Sequence, residues 1–378
     1  PVQVRVLTAL KVQALAAKLL VWPWHLSADY SYNHLPIVAS LQDPGARAGV
    51  MVAAALVVSW LGLWLLRPVA AFWLGFALLS YLVVSNIPFP IGTIFGERLL
   101  YLPSAGFCLL VATLLASGRG VTRMVMATGL AVVTAVFGAA TVRQNRVWHD
   151  DLALATSLVE TAPDSVHAHH LLGGAYMAQG RNDDAIAEFV RALEIFPAHT
   201  TTLYDIGLIR QREGKPDEAL GVFRRVLDID EKYFPAWIGV SAVNYGRGSY
   251  APAMSAAEQA IALRPDLPAG HFARANALRG LGRHAEARDE YAIALRGDPR
   301  WLEALFGLAA SSLDLQDYAG AADAFQRMVD IMPTRDAYRG LVYSSRRAGR
   351  GEAAEHAAAE GRQRYPDEQL FAPAAATP

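Results

Sequence analysis

A single cysteine, Cys108, stands among 378 residues, inside an apolar stretch. One cysteine excludes an intrachain disulfide and says nothing of redox compartment. Net charge is nearly absent too: 34 Lys and Arg balance 35 Asp and Glu, for a formal charge of −1. That balance leaves no electrostatic case for nucleic acid. There is no phosphate-cradling GxxxxGK[ST] loop and no glycine-rich dinucleotide fingerprint, so ATP-driven and nicotinamide chemistry have no support. The chain starts at Pro1, without Met and without a secretory signal pattern, and is expected to be part of a longer protein whose N-terminal portion lies upstream.

The most informative scarcity is of charge in the front half. Between residues 48 and 142 the only charged side chains are Arg67, Glu97, Arg98, Arg119 and Arg123, whereas charges are frequent after Arg143. The shift marks a boundary near 143. Four stretches, 48–66, 69–87, 99–117 and 124–142, lack any charge, and each is 19 residues long. At about 1.5 Å per residue that matches roughly 30 Å of hydrocarbon, so four transmembrane helices are predicted. Pro103 and Gly106 fall within the third, where neighbouring helices can satisfy freed carbonyls.

The short connectors carry Arg67, Arg119 and Arg123 without an acid, which places them on the cytoplasmic side. An even number of spans then puts the segment before 48 and everything after 143 together on the outer, periplasmic or luminal face. The predicted location is an integral membrane protein, of a bacterial inner membrane. Residues 1–22 are apolar but carry Arg5, Lys11 and Lys18 on one helical face, the pattern of an amphipathic helix lying in the interface, or of a span whose charges turn into a bundle. Residues 23–47 and 88–98 read as outer loops, broken by Pro23, Pro36, Pro44, Pro88 and Pro90.

In the back half a different regularity takes over. Pro163, Pro197, Pro265, Pro299 and Pro333 keep a 34-residue register, with Glu231 in the remaining slot. A 34-residue period is the mark of tetratricopeptide repeats, each a helix–turn–helix unit. The first repeat supplies Leu172, Gly173, Tyr176, Ala185, Phe189, Ala192 and Pro197, and turn signals such as QGRND (179–183), EGKPD (213–217) and LGRHA (281–285) fall between paired helices. A connector and half-repeat (143–163), about six repeats (164–366) and a disordered tail (367–378) complete the chain, the sixth repeat one residue out of register. The fold class is all-α: a polytopic membrane helix bundle followed by a tetratricopeptide-repeat superhelix.

The first helix of each repeat lines the concave side of such an array. Stepping 34 residues gives His170, Tyr204, Ile238, Phe272 and Phe306, and a second row gives Met177, Gln211, Tyr245, Arg279 and Leu313. An apolar, aromatic-rich groove suits an extended polypeptide, so these residues are the candidate protein-docking surface. The bland reading is that several of them simply pack against adjacent helices.

Other clusters carry less. His167, His169 and His170 lack an acid or Cys to complete a ligand set, and no metal site is predicted. Trp148-His149-Asp150-Asp151 offers a catalytic dyad, but its acids read rather as helix caps. Asp29, near Tyr30 and Asn33, could hold a sugar or cap a turn. Arg98 could pair with a lipid phosphate, because guanidinium matches phosphate oxygens in bidentate fashion, or could pair locally with Glu97.

The segments LLVWPWHLSADYSYNHLPIV (19–38), FGERLLYLPSAGFCLLVA (95–112) and RQNRVWHDDLAL (143–154), followed by the repeats, resemble the transmembrane-and-tetratricopeptide-repeat O-mannosyltransferases of GT-C type. The resemblance runs over essentially the whole chain, and GERLLYLPS is its most specific element. It implies a membrane glycosyltransferase that moves mannose from a polyprenyl-phosphate carrier to protein Ser or Thr. The lipid-linked sugar is then the donor, and no other cofactor is implied. The repeats would hold the acceptor polypeptide. Asp29, Glu97 and Arg98 match later family motifs, with Tyr30 and Asn33 more loosely, and are candidates for the donor site. The acidic catalytic residues of the family lie in an earlier outer loop with no counterpart here, so the catalytic residues are unassigned. A membrane-anchored repeat scaffold that does no chemistry is the alternative from a different class.

Overall fold

A computed structural model describes residues 2–22, 37–89, 95–117 and 120–367, with only the backbone described at Glu97 and Thr122. The described residues are helical, with no strand among them. They fall into two compact units, Pro1–Thr202 and Leu203–Pro378.

The first unit begins with α1 (Val2–Val21), α2 (Pro44–Leu66) and α3 (Pro68–Val83), followed by a 3-10 turn (Glu97–Leu100), α4 (Tyr101–Ala116) and α5 (Gly120–Asn145). Asp43 starts α2: its Oδ1 accepts from the Ala46 N–H at 2.9 Å, and Pro44 occupies the first turn, where no N–H is needed. The Ala46 N–H, with Lys11 nearby, holds the Asp43 carboxyl below the usual range. Helices α1 and α2 cross at Gly49, where a Cβ would come within 1.9 Å of the Leu10 carbonyl oxygen. Small residues at a crossing let backbones approach this closely.

Among the described residues three helical segments are long and apolar enough to cross a membrane: Pro44–Leu66, Arg98–Ala116 and Arg123–Asn145. The fourth predicted span, 69–87, differs. Its helix α3 has 16 residues, about 24 Å, short of the roughly 30 Å of a bilayer core. The cause is local: Ser85 Oγ bonds back to the Leu82 carbonyl and receives the Ile87 N–H, while Asn86 turns to φ 61°, which ends the helix. Large apolar side chains such as Val58, Leu65, Phe72, Leu79, Val121 and Val132 are exposed on these helices, as lipid-facing residues are. The segment 1–22 is helical, but Leu7, Val12, Ala16 and Leu19 are buried against protein, on α2 and the 95–100 segment, rather than presented to lipid at those positions.

The unit continues with α6 (Asp151–Thr161), capped by Asp150 through the Ala153 N–H at 2.7 Å, then α7 (Val166–Ala178) and α8 (Asn182–Ile195). These are the half-repeat and the first full repeat. Helix α9 (Thr200–Arg212) leads into the second unit, made of α10 (Pro216–Ile229), α11 (Phe234–Gly246), α12 (Tyr250–Leu263), α13 (Pro268–Gly280), α14 (His284–Gly297), α15 (Leu302–Asp314), α16 (Tyr318–Ile331), α17 (Arg335–Arg347) and α18 (Gly351–Arg364). Within the second unit each helix from α10 to α18 packs on the next, and α11 touches α13 as α13 touches α15, so the first helices of the third to fifth repeats lie side by side.

A buried ring forms the core of four repeats, and Ala257 holds the same slot in the third. Phe189, Phe223, Tyr291 and Phe325 recur at multiples of 34 residues, and all are buried. Burying a side chain of this size contributes about 1.5–3 kcal/mol. The turns between paired helices are built alike. Gly180, Gly214, Gly248 and Gly282 all have φ between 70° and 76°, the left-handed region that glycine enters without penalty. The fifth repeat breaks the pattern with Gln316 at φ 57°.

Candidate functional site

The membrane-face candidates are only partly within the described residues. Asp29, Tyr30 and Asn33 lie outside them, and so does the Glu97 side chain. Arg98 is described and exposed. Its position follows from its neighbours: Phe95 and Leu100 are buried against Val12, Ala16 and Leu19 of α1, which anchors the 3-10 turn. The Leu99 N–H bonds the Gly96 carbonyl at 2.9 Å and closes that turn. The guanidinium is thus held at the head of the span Arg98–Ala116, on a tethered backbone and open to solvent or headgroups. Between α1, α2 and α3 lies a cavity of about 690 Å³ with an almost wholly apolar lining that includes Leu10, Val57, Trp60, Phe76 and Leu79.

The groove candidates are all described. His170, Met177, Tyr204, Gln211, Ile238, Tyr245, Phe272, Arg279 and Leu313 are half-buried, and Phe306 is 50% exposed. Part of the bland reading therefore holds. Phe272 stacks on Trp301 with centroids 4.3 Å apart and meets Tyr291 at 5.9 Å, so it packs while staying half-buried. Tyr204 sits between Phe223 and Tyr233 in the same way.

In the first unit, a cavity of about 660 Å³ between α6 and α7 is lined by Asp150, Leu152, His170, Leu171 and Gly174. The His170 and His199 rings lie 5.4 Å apart, and their Nδ1 atoms stand 3.0 and 2.6 Å from the buried Thr202 hydroxyl, which can donate to one and accept from the other. Burial, with His199 and His167 close by, pushes the His170 imidazole down to about 4. Burial also lowers His199 and raises the Asp205 carboxyl to about 6.

In the second unit the groove candidate Arg279 is half-buried. Its Nη2 donates to the Tyr245 hydroxyl at 3.3 Å, and its buried Nε has no hydrogen-bond partner. Beside it the Tyr291 hydroxyl donates to Asn276 Oδ1 at 2.5 Å.

One recurring arrangement is not visible in the residue-by-residue reading. His169 places one ring nitrogen 2.6 Å from Glu188 and the other 2.8 Å from the Pro163 carbonyl. Three repeats on, His271 does the same with Glu290 at 2.7 Å and Pro265 at 3.4 Å. Between them Trp237 uses its indole N–H on the Glu231 carbonyl at 2.9 Å, in the slot that proline holds elsewhere. Stepping Glu188 by 102 residues reaches Glu290, a signal available in the sequence. These bonds tie the first, third and fourth repeats to the loop before each, and they account for His169 and His271 structurally. Among the described residues no group of three or more His, Cys, Asp and Glu is placed to hold a metal ion.

Comparisons with known proteins follow the same division of the chain. Residues 1–58 match the family "Protein O-mannosyl-transferase TMTC, DUF1736", and residues 164–232 and 272–338 match tetratricopeptide repeats. A TMTC1 protein O-mannosyl-transferase of Mus musculus is 29% identical over 221 residues, 54% of this chain and 23% of the relative. A TMTC3 of Homo sapiens is 23% identical over 357 residues, 88% of this chain and 39% of the relative. A Tmtc2 of Drosophila melanogaster is 34% identical over 127 residues, 33% of this chain and 13% of the relative. The chain spans less than two fifths of the length of these relatives. Among solved structures, Pseudomonas aeruginosa pilF is 16% identical over 55% of this chain and 94% of its own, with TM-score 0.48. The chain is TMTC-like, through a membrane segment and a repeat array in the same order.

Proposed function

We propose that this TMTC-like chain is the acceptor-docking part of a protein O-mannosyltransferase, together with the later membrane helices of that enzyme. The observation that carries the reading is the single alignment to TMTC3 across 88% of the chain, which takes in both the membrane helices and the repeats. A repeat array alone would support only protein binding. The family match at residues 1–58 ties this array to a mannosyl-transfer enzyme.

In this reading mannose comes from a polyprenyl-phosphate carrier and goes to Ser or Thr hydroxyls of proteins. Arg98, exposed at the head of its span, meets the carrier phosphate, and its planar fork offers two parallel N–H donors to phosphate oxygens. Neutralising that phosphate also stabilises it as the leaving group. Glu97, Asp29, Tyr30 and Asn33 remain donor-side candidates. The apolar cavity between α1, α2 and α3 has the chemistry to take prenyl units. The repeats raise the local concentration of acceptor polypeptide at the outer face of the membrane. The proton-accepting carboxylate is not assigned within this chain.

The test is genetic and chemical together. In the source organism, deletion of the gene removes O-linked mannose from a subset of proteins, read by mass spectrometry of glycopeptides. Complementation by the intact gene restores it, and complementation by an Arg98→Ala version does not. A deletion strain with unchanged O-mannosylation overturns the reading and leaves the non-catalytic scaffold. Full restoration by Arg98→Ala removes Arg98 from the donor site.

A further inference from the structure

We infer that the groove of the third to fifth repeats reads an internal Asp or Glu in an extended polypeptide, and that Arg279 is the residue that reads it. The inference rests on the docking role proposed above and specifies its ligand.

The two rows of groove candidates there are apolar or aromatic except at Arg279. Ile238 and Tyr245 line α11, Phe272 and Arg279 line α13, and Phe306 and Leu313 line α15. Arg279 is half-buried among them, bonded to the Tyr245 hydroxyl and flanked by the Tyr291–Asn276 pair. Among the described residues no carboxylate lies within ion-pair distance of it, and its Nε is buried without a hydrogen-bond partner. Three arginines of this unit show the contrast: Arg274 reaches Glu290 at 2.9 Å, Arg283 reaches Glu286 at 2.6 Å and Arg210 reaches Glu213 at 2.9 Å. Of the acids of α15, Asp314, next to Leu313, lies 3.1 Å from His284, and Glu303 is exposed about ten residues, or ~15 Å along the helix, from the row of Arg279.

A guanidinium held in an apolar groove without a counter-ion is incompletely compensated, and a carboxylate brought by a partner completes it with charge-assisted, bidentate bonds. The apolar surface continues on both sides of Arg279, onto α11 and onto α15, so a bound segment passes over the arginine rather than ending at it. An acid inside the segment therefore fits better than a chain terminus. Spacing fixes the rest. Packed helices lie about 8–10 Å apart and an extended chain advances about 3.3 Å per residue, so one repeat corresponds to roughly three residues. The ligand is an acid with apolar side chains three positions before and after it.

The probe is a labelled peptide, acetyl-Ser-Leu-Thr-Thr-Asp-Thr-Thr-Leu-Ser-amide, titrated against the full chain in detergent and followed by fluorescence anisotropy. The β-branched spacers favour the extended form. The comparison peptides carry Asn or Lys in place of Asp, and a third ends at Leu with a free carboxylate and no internal acid. The Asp peptide is expected to bind at least tenfold more tightly than the Asn and Lys forms. Arg279→Gln abolishes the Asp-over-Asn preference, whereas Phe306→Ala weakens both peptides alike. Circular dichroism melts show whether each variant folds. If Arg279→Gln does not fold, Arg279→Lys serves, with an intermediate preference expected. Equal binding of Asp and Asn peptides overturns the assignment of Arg279 while leaving the groove as a docking surface. Tighter capture of the free terminus overturns the internal-acid reading. Failure of every peptide to bind removes the docking role and this inference with it.

Discussion

Gly307 lies flat against the ring of Tyr291, so close that a methyl group on its α-carbon would stand 2.3 Å from the ring Cζ. Gly340 has the same relation to Phe325, and Gly239 to Phe223. In each case a glycine on the first helix of one repeat seats the buried ring of the repeat before it. The contact is the joint between repeats, which gives it a measurable signature. Gly307→Ala is expected to destabilise the array by about 1–3 kcal/mol through overpacking against a ring that has no room to move. Pairing it with Tyr291→Leu is expected to recover part of that loss, and a double-mutant cycle by chemical denaturation reads the coupling.

The inter-helix turns make a second prediction. Gln316 occupies at φ 57° the place that Gly282 occupies at φ 76°. Left-handed backbone costs a residue with a Cβ about 1 kcal/mol, and glycine has no such penalty. Gly282→Ala is therefore expected to cost about 1 kcal/mol. Gln316→Gly is expected to be neutral to mildly stabilising, by about 0.5 kcal/mol, since relief of strain is offset by the greater freedom of glycine in the unfolded chain. Thermal melting of the two variants decides the matter; equal and opposite large effects would contradict the turn assignment.

The pH dependence follows from His170. Burial lowers its folded value from 6.5 to about 4, so the folded chain disfavours the imidazolium. Between those values the unfolded chain binds more protons, and stability rises with pH. The contribution is fully present above about 6.5 and is lost as pH falls through 4. Asp205 acts in the opposite sense: its carboxyl is raised from 3.8 to about 6, so its contribution declines as pH rises through that window. His170→Gln should flatten the acid side of the stability profile and Asp205→Asn should steepen it, measured by melts from pH 4 to 7. Unchanged profiles in both variants would remove these groups from the balance.

Glu290 accepts from His271 Nδ1 at 2.7 Å and from Arg274 Nη1 at 2.9 Å, while Glu188 bonds His169 alone among those two types of partner. Glu290→Gln is expected to cost about 1–3 kcal/mol, because it leaves a half-buried histidine and arginine without their shared charge. The effect of Glu188→Gln is expected to be smaller, and urea denaturation ranks the two.

How much of this was legible in the sequence depends on which physical rule governed each part. The 34-residue period located the paired helices because the ring at Phe189, Phe223, Tyr291 and Phe325 must recur wherever the same packing recurs. Most turns were legible as glycine punctuation. The fifth was not, since Gln316 carries a left-handed conformation that its side chain does not advertise. Absence of charge located the long apolar helices, but the stretch 69–87 runs past the end of its helix at Val83, because hydropathy does not register Ser85 and Asn86 closing off the last turn. The His–Glu ties escaped because their partners are 19 residues apart on facing helices, and each looks unremarkable by itself. The groove row was placed by register alone. Which of its members pack and which stay open, Phe272 against Phe306 for example, depends on Trp301 and could be read only from the packed structure.

Helix α5 ends at Asn145 and α6 begins at Asp151, leaving five residues between a span and the half-repeat. Five residues extend to about 17 Å at most, and here they are wound into turns that shorten the reach further. The half-repeat therefore cannot roam. It is leashed to the headgroup region, so a polypeptide engaging it has to come down to the bilayer, and the search for it becomes one over a surface rather than through a volume. A flexible insertion in that link should dilute this advantage without altering a single contact, which makes the length of residues 146–150 a dial on encounter frequency rather than on affinity.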